Sequence, residues 1–283
     1  MRTNPEVSEP IALAGGTVLV VAPHMDDEVL ACGGLIARLP DKERIYVAYA
    51  TDGKKSPAPV LPWDGRAPDD LGEIRKSESV AALGLLGVPR ANLRFFDLPE
   101  ARLRAHMPDL ARRLRELLSE IRPDHVLVPF RYDRHPDHLA VNRVATAAYR
   151  QQGQRGRLLE YFIYYRWRLL PTGDIRDYVQ PACLLGVEIS SVARQKRAAL
   201  DCFRSQTTRY FAWQTRPILT PMLLDEECRG PEVFLRYDAS SHGDAVFTRA
   251  VPWIRIVHGL EPRLQKWKYY AKTALVRTVG GAA

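Results

Sequence analysis

The sequence predicts an α/β fold, a mostly parallel sheet with helices on both faces. Two observations carry that expectation. Short apolar runs alternate with amphipathic stretches through the first half of the chain, as in repeating βα units with short connections. Two of the apolar runs end in clusters of His and Asp, and open parallel sheets bind their ligands beyond the carboxyl ends of the strands.

The elements follow in order. Residues 17–22 form a continuous apolar strand and 28–39 a helix. Residues 44–50 form a second strand, after which Thr51-Asp52-Gly53 turns into a Pro-rich loop that runs to about Asp70. Apolar residues at helical spacing predict a helix over 72–86, stopped by Gly87. A short strand over 92–96, a basic amphipathic helix over 108–121, a strand over 125–130 and a helix over 137–150 complete the first half. The second half is less regular, with strands over 158–165 and 182–189 and a helix over 192–204. Residues 153–156 are the best candidate junction, but the stretch is short and the second half is not expected to fold independently. A single domain over 1–283 is expected, with a core of about 17–235 and a basic, aromatic extension of about 250–283.

Composition bounds the function. The chain has 283 residues, 46% of them hydrophobic, enough to bury a sizeable core. Its net charge of +8 fits either an ordinary basic protein or one with an anionic partner. Cys32, Cys183, Cys202 and Cys228 form no CxxC pair, so reduced thiols in a cytoplasmic protein are expected. No signal-peptide core is present at the N-terminus, and no apolar run approaches the roughly 20 residues of a membrane span.

The chemistry lies at two strand ends. Val18-Leu19-Val20-Val21-Ala22 ends in Pro23-His24-Met25-Asp26-Asp27-Glu28, and Val126-Leu127-Val128-Pro129-Phe130 is followed by His135-Pro136-Asp137-His138. Burying so many polar groups at strand tips is costly unless a metal or hydrogen bonds compensate. A catalytic zinc needs few protein ligands and an open position for water. His24 and Asp27, three apart at a helix entrance, and His138 from the second strand end would supply two imidazoles and a carboxylate. Asp26 is then left unbound beside the metal to accept a proton, and His135 faces the same cleft. The bland alternative is helix capping, since Asp is favoured at helix starts. The pairing of the two motifs, each after an apolar strand and before a helix, favours metal.

These motifs resemble those of the PIG-L/LmbE-like zinc de-N-acetylases. Pro23-His24-Met25-Asp26-Asp27-Glu28 with Gly33-Gly34 is similar to the family's first signature, and His135-Pro136-Asp137-His138 to its second. Lesser likenesses are Thr51-Asp52-Gly53, the Arg75 and Glu78 pair, Ser205-Gln206 closing a later helix, and Glu232-Val233-Phe234. The resemblance implies a Rossmann-like fold, one zinc ion per chain, and removal of the N-acetyl group from an amino sugar or glycoconjugate. It implies His24, Asp27 and His138 as zinc ligands, Asp26 as general base and His135 as oxyanion stabiliser or acid. It further implies Asp137 as the group that orients His135, and Arg75 as a substrate contact. Met25 stands where many members have proline, and the tyrosine that assists in some members has no clear match near Tyr132 and Asp133.

Other features admit two readings. Arg131, Arg134 and Arg143 would either contact an anionic substrate or be ion-paired, with pairing favoured. Trp63 would stack on a sugar or anchor its loop. The tail over 253–277 would pack its aromatics on the core or lie on an anionic membrane, with packing favoured. No nucleic-acid-binding module is recognised, so no nucleic-acid partner is expected. The rivals to a de-N-acetylase are a non-catalytic carbohydrate-binding protein and a metallo-phosphoesterase. The second needs more carboxylates than the motifs supply.

Overall fold

The computed structural model describes residues 15–58, 68–151, 156–214, 216–237, 245–248 and 250–280. Trp63 and most of the 153–156 junction lie outside the described residues. The strands are β1 (Val18–Ala22), β2 (Ile45–Thr51), β3 (Leu93–Leu98), β4 (His125–Pro129), β5 (Arg157–Tyr161), β6 (Leu184–Val187) and β7 (Glu232–Tyr237). The helices are α1 (Asp27–Arg38), α2 (Leu71–Leu85), α3 (Met107–Ile121), α4 (Pro136–Gln151), α5 (Ala193–Asp201), α6 (Arg204–Thr207), α7 (Pro221–Glu227) and α8 (Val251–Gly280).

The seven strands of the described residues join one sheet in the order β3-β2-β1-β4-β5-β7-β6. Strands β1 to β5 pair in parallel, and β7 runs antiparallel to both β5 and β6. Side chains alternate across β1, and this alternation builds two cores. Val18, Val20 and Ala22 face a cluster that includes Leu35 and Ile36 of α1, Leu83 of α2 and Leu200 of α5. Leu19 and Val21 face Leu110 and Leu114 of α3 and Val141 and Val144 of α4. The sheet is therefore helix-covered on both faces, as expected. The chain leaves β1 towards β2 on one side and reaches β4 on the other. The gap between the ends of β1 and β4 is thus the topological switch point, where this architecture places ligands.

The minor motifs meet in space and fix α1. Glu232 of β7 accepts the amide N–H groups of Gly34 at 2.6 Å and Leu35 at 2.7 Å, and pairs with the buried Lys196 Nζ at 2.8 Å. A Cβ on Gly34 would lie 2.3 Å from Ile189 Cγ2 and 3.0 Å from Glu232 Oε1, so glycine lets Ile189, just beyond β6, and Glu232 close on the helix. Glu78 of α2 likewise accepts the Ser205 N–H at 2.7 Å and its hydroxyl at 2.6 Å.

Three expectations need correction. The strand over 158–165 ends at Tyr161, and the residues beyond it leave the sheet towards the strand-end cleft. The helix over 192–204 breaks after Asp201 and restarts at Arg204, because Phe203 leaves helical geometry (ψ 62°) with its ring fully buried. The tail is a helix that docks on the core, but not through its tryptophans. Ile254, Val257 and Glu261 point inward, whereas Trp253 and Trp267 are 46% and 75% exposed. The register decides this: 254, 257 and 261 share one face, and 253 and 267 lie beside it. Among the described residues no helix is long and apolar enough to cross a membrane.

Candidate active site and metal centre

The turn after β1 is strained. Asp26 has φ 132° and ψ −30°, a region L-residues rarely adopt, and holding it there costs about 1–3 kcal/mol. Glu28, fully buried, accepts the Asp26 N–H at 3.0 Å and the Tyr49 hydroxyl at 2.8 Å, which pins the turn. The Asp26 side chain makes no capping hydrogen bond to α1. Capping therefore does not account for it.

The turn brings two ligand atoms, from His24 and Asp27, against a third from His138 in the first turn of α4. His24 Nδ1 lies 3.2 Å from Asp27 Oδ2, His138 Nε2 lies 3.2 Å from Asp27 Oδ2, and His138 Nε2 lies 3.2 Å from His24 Nδ1. Ligands at zinc-like distances in a tetrahedral site stand about 3.3 Å apart. The triangle matches one face of such a site, so the expected ligands His24, Asp27 and His138 could hold a metal. His135 is nearby, and the ring nitrogens of His24, His135 and His138 fall within 4.8 Å of one another. That set is looser than the triangle that includes Asp27.

Each imidazole of the triangle has a carboxylate at its other nitrogen. His24 Nε2 lies 3.3 Å from Asp137 Oδ2, and His138 Nδ1 lies 3.2 Å from Asp133 Oδ1. The hydrogen bond to Asp137 sets the His24 tautomer and leaves Nδ1 free to ligate, whereas Asp133 stands beside His138 Nδ1 as a charge without hydrogen-bond alignment. Both carboxylates are in turn held by backbone. Asp137 accepts the N–H groups of Ala101 at 2.7 Å and Leu103 at 3.1 Å. Asp133, almost fully buried, accepts that of His135 at 2.8 Å. Asp137 was expected to orient His135; its link to that ring is through the backbone, whose N–H donates to His135 Nδ1 at 3.2 Å. The Asp137 carboxylate itself faces His24.

The electrostatics fit a cation. Burial alone would lower His24, but hydrogen bonds to Asp137 and Asp27 raise it to about 9. Burial would also lower His138, but Asp133 and Asp27 raise it well above the usual histidine range. Asp27 is driven far down by the two histidines despite its burial. Asp26 behaves differently. Burial pushes it up to about 7 against the pull of Arg75, close to the range of a working base. Burial and the neighbouring histidines push His135 down to about 3.

His24, Asp26, Asp27 and His135 floor an open cleft, which Arg75, Glu100, Tyr164 and Gln206 also line. Arg75, expected as a substrate contact, is among the lining residues but only 1% exposed. It donates to the Met25 carbonyl at 2.7 Å and lies 3.5 Å from Asp26 Oδ2 and 3.7 Å from Glu100 Oε1. Its geometry is that of a strut beneath Asp26. The Met25 side chain fills the space a Cβ on Gly53 would need, 2.3 Å away, so the first motif packs against Thr51-Asp52-Gly53.

Sequence reasoning missed four lining or supporting groups. Asp133 and Glu100 carry no motif of their own, and the Ser205-Gln206 likeness does not by itself place Gln206 at the site. Tyr164 comes from the segment that leaves β5, its ring centroid 5.5 Å from that of His138. Tyr132, the nearer tyrosine in sequence, packs instead on Phe247 and His258. Arg131 pairs with Glu160 at 2.9 Å and Arg134 with Glu261 at 3.1 Å, while Arg143 is exposed. The ion-paired reading thus holds for the first two.

Comparison with known proteins agrees with this geometry. The family model described as PIG-L, GlcNAc-PI de-N-acetylase, matches residues 19–149, from β1 through α4. The 1D-myo-inositol 2-acetamido-2-deoxy-alpha-D-glucopyranoside deacetylase of Rhodococcus jostii strain RHA1 is 32% identical over 68% of this chain and 82% of its own. Others of that description are matched over 54% to 90% of their length. The conserved protein TT1542 of Thermus thermophilus superposes with a TM-score of 0.54 at 26% identity, covering 81% of this chain and all of that one. The N,N'-diacetylchitobiose deacetylase of Pyrococcus horikoshii shares the fold, with a TM-score of 0.57 at 22% identity over 83% of this chain and 88% of its own. The matched segment contains both strand-end motifs, and the chain belongs to the PIG-L family of de-N-acetylases, which are hydrolases.

Proposed function

We propose that this protein is a zinc-dependent de-N-acetylase that removes the acetyl group from an N-acetylated amino sugar within a larger conjugate. The observation that carries the reading is the triangle of His24 Nδ1, Asp27 Oδ2 and His138 Nε2, with Asp26 beside it and outside it. One zinc ion held by these three residues would polarise the acetyl carbonyl and acidify a water molecule. Asp26, held by Arg75 and a strained turn, is the residue placed to accept a proton from the water whose oxygen bonds the acetyl carbon and to return it to the amine nitrogen as the C–N bond breaks and acetate leaves. His135 accepts the Asp137 N–H at Nδ1, so a neutral ring carries its proton on Nε2 and donates it as a hydrogen bond to the developing oxyanion. Asp137 and Asp133 position His24 and His138. The relatives support an amino-sugar substrate, because the Rhodococcus enzyme is named for a 2-acetamido-2-deoxyglucoside of inositol. Pairing of Arg131 and Arg134 removes the motive for a phosphoesterase.

The test is mass spectrometry of a panel of N-acetyl glycosides incubated with the metal-loaded protein. The expected result is loss of one acetyl group from at least one class, abolished by a chelator and restored by zinc. Unchanged glycosides across the panel, with bound glycoside recovered intact, would mean a binding protein.

A further inference from the structure

Helix α8 docks through one face and leaves the neighbouring face uncovered. Its docked face is built from Ile254, Val257 and Glu261, all buried. Glu261 accepts the Arg168 N–H at 3.0 Å and meets Arg134 Nη2 at 3.1 Å. Beside this face runs a second stripe, Trp253, Ile256, Leu260, Leu264 and Trp267, whose members are 46% to 75% exposed. At 100° per residue the five fall within an arc of about 80°, a band about 20 Å long. Large apolar side chains normally reach a protein surface singly, and a continuous band marks a docking surface. Two of the five are tryptophan, which favours the boundary between water and hydrocarbon.

The charges select the partner. Along α8 the sequence places Arg255, Arg263, Lys266, Lys268, Lys272 and Arg277 against a single acid, Glu261. That acid is buried and paired inward. Arg263 and Lys268 are exposed and fall on opposite flanks of the band. A second copy of the helix would bring like charges together, whereas an anionic bilayer offers acyl chains to the band and headgroups to the cations. We propose that α8 is a membrane-surface helix that docks this protein on an anionic lipid bilayer through Trp253, Ile256, Leu260, Leu264 and Trp267. The helix is fastened close to the cavity. Glu261 holds Arg168, and Tyr164 on the same loop lines the cavity. Docking would therefore present the cavity rim near the lipid.

Flotation of the full chain with vesicles tests this. Binding to vesicles containing phosphatidylglycerol is expected, with little binding to phosphatidylcholine alone and release as salt is raised. The Leu260→Gln/Leu264→Gln variant should lose at least about tenfold in partitioning. The Arg263→Gln/Lys268→Gln variant should lose about fivefold per cation. Both should melt like the parent, since the residues are exposed. In the unaltered chain, anionic vesicles should blue-shift tryptophan emission, and brominated lipids should quench it. Absence of binding and quenching at low salt would overturn the proposal. So would a dimer that dissociates in the Leu260→Gln/Leu264→Gln variant without any vesicle binding, which would assign the band to a second copy.

Discussion

Asp133→Asn isolates the outer support of the proposed metal site. Asp133 Oδ1 sits 3.2 Å from His138 Nδ1 and accepts the His135 N–H at 2.8 Å, and Oδ2 accepts the Tyr164 N–H at 3.4 Å. Asparagine has the same shape but one acceptor oxygen. If its amide NH2 takes the place of Oδ1 and faces His138, the His135 N–H loses its acceptor and the imidazole proton is favoured on Nε2, the nitrogen that completes the triangle. If it faces Tyr164, one backbone N–H loses its acceptor, a penalty of about 1–3 kcal/mol in stability. Either way the negative charge behind His138 is gone. Loss of such a partner weakens metal affinity by about 10- to 100-fold, or about 1.4–2.8 kcal/mol. Competition with a chromogenic chelator would measure zinc affinity, with thermal melting to confirm the fold. Affinity within about twofold of the parent in a folded variant would refute the assigned role of Asp133.

Three further outcomes are expected. Asp26→Asn should retain metal by elemental analysis yet lose about 10²–10⁴ in kcat, because an amide cannot take the proton. His135→Ala should lower kcat by about 10²–10³ with metal intact, and a raised KM at constant kcat would make it a binding residue instead. Gly34→Ala should lower stability by about 1–3 kcal/mol in denaturant titration, since its Cβ would meet Ile189 Cγ2 at 2.3 Å.

The two strand-end motifs were legible in the sequence because an apolar strand that stops abruptly at His and Asp has few other uses. Their side chains converge because β1 and β4 are neighbours at the switch point, a strand order that the alternation of βα units does not by itself fix. Asp133 was not legible as a support, since its burial and its reach to His138 depend on the path of the chain after β4. The same holds for Tyr164, which belongs to a run that reads as strand until the chain leaves the sheet at Tyr161. Arg75 was placed near the right chemistry by resemblance, but only the tertiary packing shows its guanidinium bound to Met25 and Asp26. In α8 the amphipathic pattern was visible. Which stripe docks was not, because Ile254 and Val257 are as apolar as Trp253 and Ile256, and the choice rests on the partner surface and on Arg134 reaching Glu261.

The central claim is that His24, Asp27 and His138 hold a single catalytic zinc with Asp26 left unbound. Diffraction at the zinc absorption edge from crystals of the zinc-loaded protein tests it directly. The expected map has one anomalous peak per chain, at about 2.0–2.2 Å from His24 Nδ1, Asp27 Oδ2 and His138 Nε2. A peak ligated by His24, His135 and His138 without Asp27, or by Asp26, would contradict it.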